Sequence, residues 1–245
     1  MRKLNPEETR EVQDILFGIM CTFKEICDAE NLWYSLAFGT MLGAVRENGF
    51  ISWDDDIDVY MMLPDREKFR RAFEKRHPEG LVLMKCFQDR NYTKSHDKIC
   101  YTLSDKYNIQ LDIYTLFGAP SDMRQQTRFR RRAHFADHLF RAKYNKLKDS
   151  APKNKPFLLF VKFVDLFIPD RLINRIFTSI ESKYDFDKSD YLTSIVGAPT
   201  YRRCYHKRIF SETVDHVFNG EMFRIPKGWD EYLTLTYGDY MTPRR

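Results

Sequence analysis

FGTMLGAVRENGFISWDDDIDVYMM, residues Phe38–Met62, sets four carboxylates within five positions directly ahead of an apolar run. Asp54, Asp55, Asp56 and Asp58 repel one another, and a folded chain needs something to offset that repulsion. Water does so if the segment is a solvated acidic loop. A divalent cation does so if the carboxylates share a site. The local pattern separates the two readings. Asp56, Asp58 and Tyr60 alternate with Ile57, Val59 and Met61, the period of a β-strand with one apolar face. Two carboxylates two residues apart then lie side by side, as hard oxygen ligands for one or two cations. An EF-hand is excluded. Counted from Asp54, its sixth position needs glycine and its twelfth usually glutamate, whereas this chain has Val59 and Asp65 there.

Two further features extend the pattern. Asp112 lies in the strand-like run NIQLDIYTLF, where aspartate is disfavoured. A lone buried carboxylate is costly unless it is paired or bound to metal. Asp112 therefore faces solvent, meets a lysine, or, if its strand neighbours Ile57–Val59, completes a three-carboxylate site. Upstream, LWYSLAF predicts a strand ending at Gly39, and TMLGAVREN a short helix closed by Gly49. Gly39 and Thr40 at that junction suit close approach of a phosphate to free helix amides.

Working outward, NPEETREVQ carries a capping box, Asn5 with Glu8, and Pro6 suits the first helical position. Val12, Ile15, Leu16, Ile19, Met20, Phe23 and Ile26 predict a helix over Pro6–Ala29. Another helix begins at Pro64, and three more strands are expected in 80–87, 96–104 and 108–117. Strands mixed with helices point to an α/β (α+β) fold, with a catalytic core over 1–120 and a mostly helical region over 121–245 that completes it. In 121–148, Phe129, Ala133, Ala136, Phe140, Tyr144 and Leu147 form one apolar stripe. The other face carries nine Arg and Lys residues, from Arg124 to Lys148, against Asp137. FLLFVKFVDLFIP, just beyond, reads as core or as an interfacial segment.

The 245 residues carry 43% hydrophobic and 15% aromatic side chains, enough to build a core. A net charge of +5 is too small for a dedicated nucleic-acid binder, and no such partner is expected. Five scattered cysteines without a CxxC pair read as reduced thiols. A polar N-terminus and the lack of a long apolar run predict a cytoplasmic protein.

These residues resemble the LicD family of the nucleotidyltransferase fold, to which fukutin-related proteins are similar. The resemblance rests on Phe38–Met62 followed by LDIY, and on EMFRIPKGWDEYLTLTYGDYM near the C-terminus. It departs at Phe218-Asn219-Gly220, where the family often has Phe-Glu-Gly. The resemblance implies a nucleotidyltransferase-like core in which Gly39 and Thr40 begin the nucleotide-binding turn. Asp56, Asp58 and Asp112 would be catalytic and hold Mg²⁺ (or Mn²⁺). The implied reaction moves phosphocholine, or a phospho-alcohol such as ribitol phosphate, from a CDP-alcohol donor to a hydroxyl of a cell-surface glycan.

Arg46 and Lys98 are candidates for charge on the donor phosphates. Trp53 either stacks on the donor or packs, and packing is the ordinary expectation. Tyr237 and Trp229 could enclose a choline head. The basic helix reads as a solvated face or as peripheral contact with an anionic membrane surface or a lipid-linked glycan. Two other functions compete: nucleotidyl transfer from a nucleoside triphosphate by the same carboxylates, and non-catalytic binding of a glycan or membrane surface.

Overall fold

Asn5 opens helix α1 (Pro6–Ala29) with the expected capping box. Its side chain accepts from the Glu8 amide at 2.9 Å, and the Glu8 carboxylate accepts from the Asn5 amide at 3.1 Å. Val12, Leu16, Ile19, Met20, Phe23 and Ile26 are buried on one face of this helix. The computed structural model describes residues 4–86, 88, 92, 94–144, 159, 170–195 and 203–242. They form a mixed α/β protein of two compact units. The first comprises Met1–Met84, Asp97–Leu116 and Tyr205–Arg245; the second comprises Lys85–His96 and Phe117–Cys204.

The first unit is built on five strands in the order β1 (Tyr34–Leu36), β2 (Ile57–Met62), β5 (Gln110–Ala119), β4 (Asp97–Tyr101) and β3 (Leu81–Met84). Strands β2 and β5 run parallel; the other pairs are antiparallel. Helix α2 (Phe38–Glu47) joins β1 to β2, and α3 (Leu63–Arg76) follows β2 with proline in its first turn. Two boundaries differ from the expected ones. Strand β1 stops at Leu36, so Gly39 and Thr40 lie inside the first turn of α2 rather than in a turn before it. That helix is closed by Asn48 in the left-handed conformation, φ 54°, not by Gly49. Asparagine tolerates this geometry better than other side chains.

The C-terminal segment returns to the first unit. A short strand β7 (Tyr205–His206) and a 3-10 turn (Lys207–Phe210) lead to a hairpin of β8 (Thr213–Phe218) and β9 (Glu221–Pro226), then helix α6 (Trp229–Tyr237). EMFRIP, the start of the C-terminal segment that carries the family resemblance, is thus one arm of a hairpin. Asn219 and Gly220 have φ of 50° and 86°, the backbone a tight two-residue hairpin turn requires. The Asn219 amide donates to the Asn48 carbonyl at 2.8 Å, and Phe218 packs edge-on against Phe50. The hairpin tip therefore holds the loop that leads into the acidic run.

In the second unit, Phe117–Ala119 of β5 pair antiparallel with β6 (Tyr191–Thr193), and α4 (Met123–Tyr144) packs against α5 (Asp170–Glu181). Phe129 and Ala136 are buried, as the stripe requires. Asp137 is not on the outward face. It is buried and accepts from the Ser95 hydroxyl at 2.9 Å. The side chains of Phe140 and Tyr144, and Leu147 with the apolar run 157–169 apart from residue 159, lie outside the described residues. The five thiols are free, and no described helix is long and apolar enough to cross a membrane.

Candidate active site

Strand β2 pairs with β5 so that Asp58 stands beside Asp112, and β5 pairs with β4 so that Asp112 stands beside Lys98. Residues paired in register share a sheet face, which places Asp58, Asp112 and Lys98 in one row across three strands. Lys98 is 3% exposed, and its Nζ lies 2.8 Å from the Asp112 carboxylate. Both structural possibilities for Asp112 are therefore met: it neighbours the acidic strand, and it is ion-paired to a lysine. Directly before Lys98, Asp97 takes a buried two-pronged contact from Arg70 of α3, at 2.6 and 2.7 Å. That contact fixes the start of β4.

Helix α2 begins against this row. The Thr40 hydroxyl accepts from the Asp58 amide at 2.9 Å, and the Ala37 amide donates to the Asp58 carbonyl at 2.9 Å. A β-carbon at Gly39 would sit 3.1 Å from an Asp54 carboxylate oxygen, so the acidic loop lies tightly against the helix start there. The first amides of a helix have no internal partners and favour negative charge. Phe38, at that start, has φ 43°, an outlier for a bulky residue. Tyr60 and Tyr114 pack against its ring, each with centroids 5.1 Å away, and hold it there.

The electrostatics match this crowding. Burial, then Asp56 and Asp112, push the Asp58 carboxyl well up, with Lys98 opposing. Asp56 keeps solvent exposure, yet burial and then Asp112 raise it as well. Asp54 is pushed up to about 6, by burial first and then by Asp56, Asp55 and Glu47, against Arg46. Arg46 is itself paired with Glu47 at 2.7 Å.

Three carboxylates against one lysine leave surplus negative charge. An all-oxygen donor set of this kind fits a hard cation such as Mg²⁺ or Mn²⁺. Among the described residues, no group of three or more His, Cys, Asp or Glu side chains is placed so as to hold a metal ion. Asp58 and Asp112 are brought together, and Asp56 is within electrostatic reach.

Trp53 is 65% exposed on the acidic loop, so it does not pack as expected. Tyr237 and Trp229 are half-buried on α6. Asp55 opens onto a cleft of about 490 Å³ walled by Glu8, Lys106, Tyr107 and Asn108.

Sequence reading missed two positioning residues. Gln13 of α1 donates to the carbonyls of Ile51 and Asp54, at 3.2 and 2.8 Å, and so pins the acidic loop. Phe38 is the other. A polar residue on a helix 41 positions from the loop it holds leaves no local signal. The strain at Phe38 is visible only in the backbone.

Residues 31–154 match the family model described as LicD/FKTN/FKRP, nucleotidyltransferase domain. The lipopolysaccharide cholinephosphotransferase LicD of Haemophilus influenzae is 29% identical over 261 aligned positions, which cover 98% of this chain and 93% of that protein. Uncharacterized proteins of Rickettsia typhi and Rickettsia prowazekii are 29% and 30% identical over segments covering 38% of this chain and 33% and 40% of theirs.

Proposed function

The chain belongs to the LicD family, and from that membership we propose that it is a metal-dependent transferase. It moves phosphocholine, or a similar phospho-alcohol such as ribitol phosphate, from a CDP-activated donor to a hydroxyl of a cell-surface glycan, working in the cytoplasm. The Haemophilus relative supports the choline and lipopolysaccharide part of this reading. The observation that carries the chemistry is the row Asp58, Asp112 and Lys98, set against the helix start at Gly39–Thr40.

Mg²⁺ or Mn²⁺ held by Asp56, Asp58 and Asp112 would neutralise the donor diphosphate and ease departure of CMP. The protein's own groups do the rest. The amides that open α2 orient the phosphates, and Lys98 and Arg46 add positive charge to them. Trp53 offers the donor an exposed stacking face. The cleft beside Asp55 admits the acceptor. The acceptor oxygen attacks phosphorus, and its proton passes to a carboxylate of the cluster. The bond to the bridging oxygen breaks, and CMP leaves with that electron pair.

The test supplies Mg²⁺ with CDP-choline, CDP-ribitol or a nucleoside triphosphate in turn. CMP release from one of the CDP-alcohols is the expected result. Pyrophosphate release from the triphosphate would assign nucleotidyl transfer instead. Asp58→Ala should abolish turnover while leaving the circular-dichroism spectrum unchanged; undiminished turnover in that variant would remove Asp58 from the reaction, and no turnover by the parent with any of the three donors would make the protein a binding module.

A further inference from the structure

We propose that the outward face of α4 is a docking surface for an anionic lipid bilayer. At 100° per residue, Arg124, Arg128, Arg131 and Phe135 fall within an arc of about 60°, with Arg132 about 40° beyond it. All five side chains are exposed, and Phe135 is 64% exposed. The buried Phe129, Ala136 and Asp137 lie on the opposite side of the helix. Among the described residues, none of these four guanidiniums has a hydrogen-bond or salt-bridge partner. The one acid expected to balance them, Asp137, is turned inward onto Ser95.

The occupant follows from the combination. A wholly cationic stripe would suit any polyanion. An aromatic ring standing exposed among arginines suits the headgroup layer of a membrane, where the ring enters the interface and the guanidiniums meet phosphates. Helix α5, which packs on α4, repeats the mixture: Leu172 and Ile176, one turn apart, are 44% and 41% exposed, with Arg175 exposed between them. None of these residues belongs to the carboxylate site, so the inference holds or fails independently of the reaction.

The test is sedimentation of the whole protein with phosphatidylcholine vesicles, with and without roughly 30% phosphatidylglycerol, at low and at high salt. Binding is expected to the anionic vesicles and to weaken with salt. Arg128→Glu with Arg131→Glu should weaken it at least ~25-fold, at about fivefold for each lost guanidinium. Phe135→Ser should weaken it at both salt concentrations. If the double reversal melts early, Arg124→Gln with Arg128→Gln gives the same reading. Equal binding to neutral vesicles, or undiminished binding by the reversed variant, overturns the proposal. So does competition by a short RNA together with indifference to Phe135→Ser, which would make the face a general polyanion site.

Discussion

Asp54 shows how the acidic run is tolerated. Its carboxyl is raised to about 6, above the ordinary value of 3.8, by burial and by its acidic neighbours. A carboxyl raised by folding favours the folded state while both states are protonated, and that benefit is lost as pH rises from about 4 through 6. Asp54→Asn should therefore leave the melting temperature unchanged near pH 4. Above pH 6.5 it should raise Tm by ~2–4 °C, after discounting for the solvent that still reaches this carboxyl. A variant that melts lower than the parent at pH 7.5 would show that the carboxylate is needed at the helix start.

The same scale explains Asp112. A lone aspartate in a strand was readable as an anomaly, but its lysine partner was not. Lys98 lies 14 positions away, and it meets Asp112 because of antiparallel register.

At the scale of elements, the β8–β9 hairpin is the part whose role local reading missed. In sequence, Asn219 stood out only as a departure from the family's Phe-Glu-Gly. In the structure it forms a left-handed turn corner, its amide bonds Asn48, and its side chain crowds Gly49. Asn219→Glu puts a longer side chain in a conformation that disfavours it, at about 1 kcal/mol. Tm should fall by ~2–4 °C with kcat unchanged. A loss of kcat without a loss of stability would place the side chain in the reaction.

Helix α6 is a second such element. Its Tyr232 hydroxyl lies 3.1 Å from that of Tyr60, and Tyr60 packs against Phe38. The segment near the C-terminus therefore supports the strained helix start through a chain of aromatic rings.

At the scale of the whole molecule, the proposed function makes a prediction for stability: a cation held at the carboxylate row, where negative charge is locally in surplus, would add to the stability of the fold. An ion that binds the folded state alone, at about 100 times its Kd, stabilises it by ~2.7 kcal/mol. For a chain of this size that is roughly 5–10 °C in Tm. Millimolar Mg²⁺ should produce such a rise and EDTA should reverse it, while Asp58→Asn should abolish it. A Tm indifferent to Mg²⁺ in the parent protein, or an equal shift in Asp58→Asn, would remove the cation from the carboxylate row.

Period and punctuation alone determined the first helix to its end residues, the alternating strand behind the acidic run and the mixed α/β class. Each depends on contacts between near neighbours, which repeat at 3.6 or 2 residues and so are written locally. Tertiary structure alone decided that Asp58, Asp112 and Lys98 form one row. It also decided that Gln13 holds the acidic loop, that Asp137 turns inward, and that Trp53 stands in solvent. Those outcomes depend on strand register, where a one-residue slip would send every side chain to the other face, and on helix rotation, where one residue turns a side chain by about 100°.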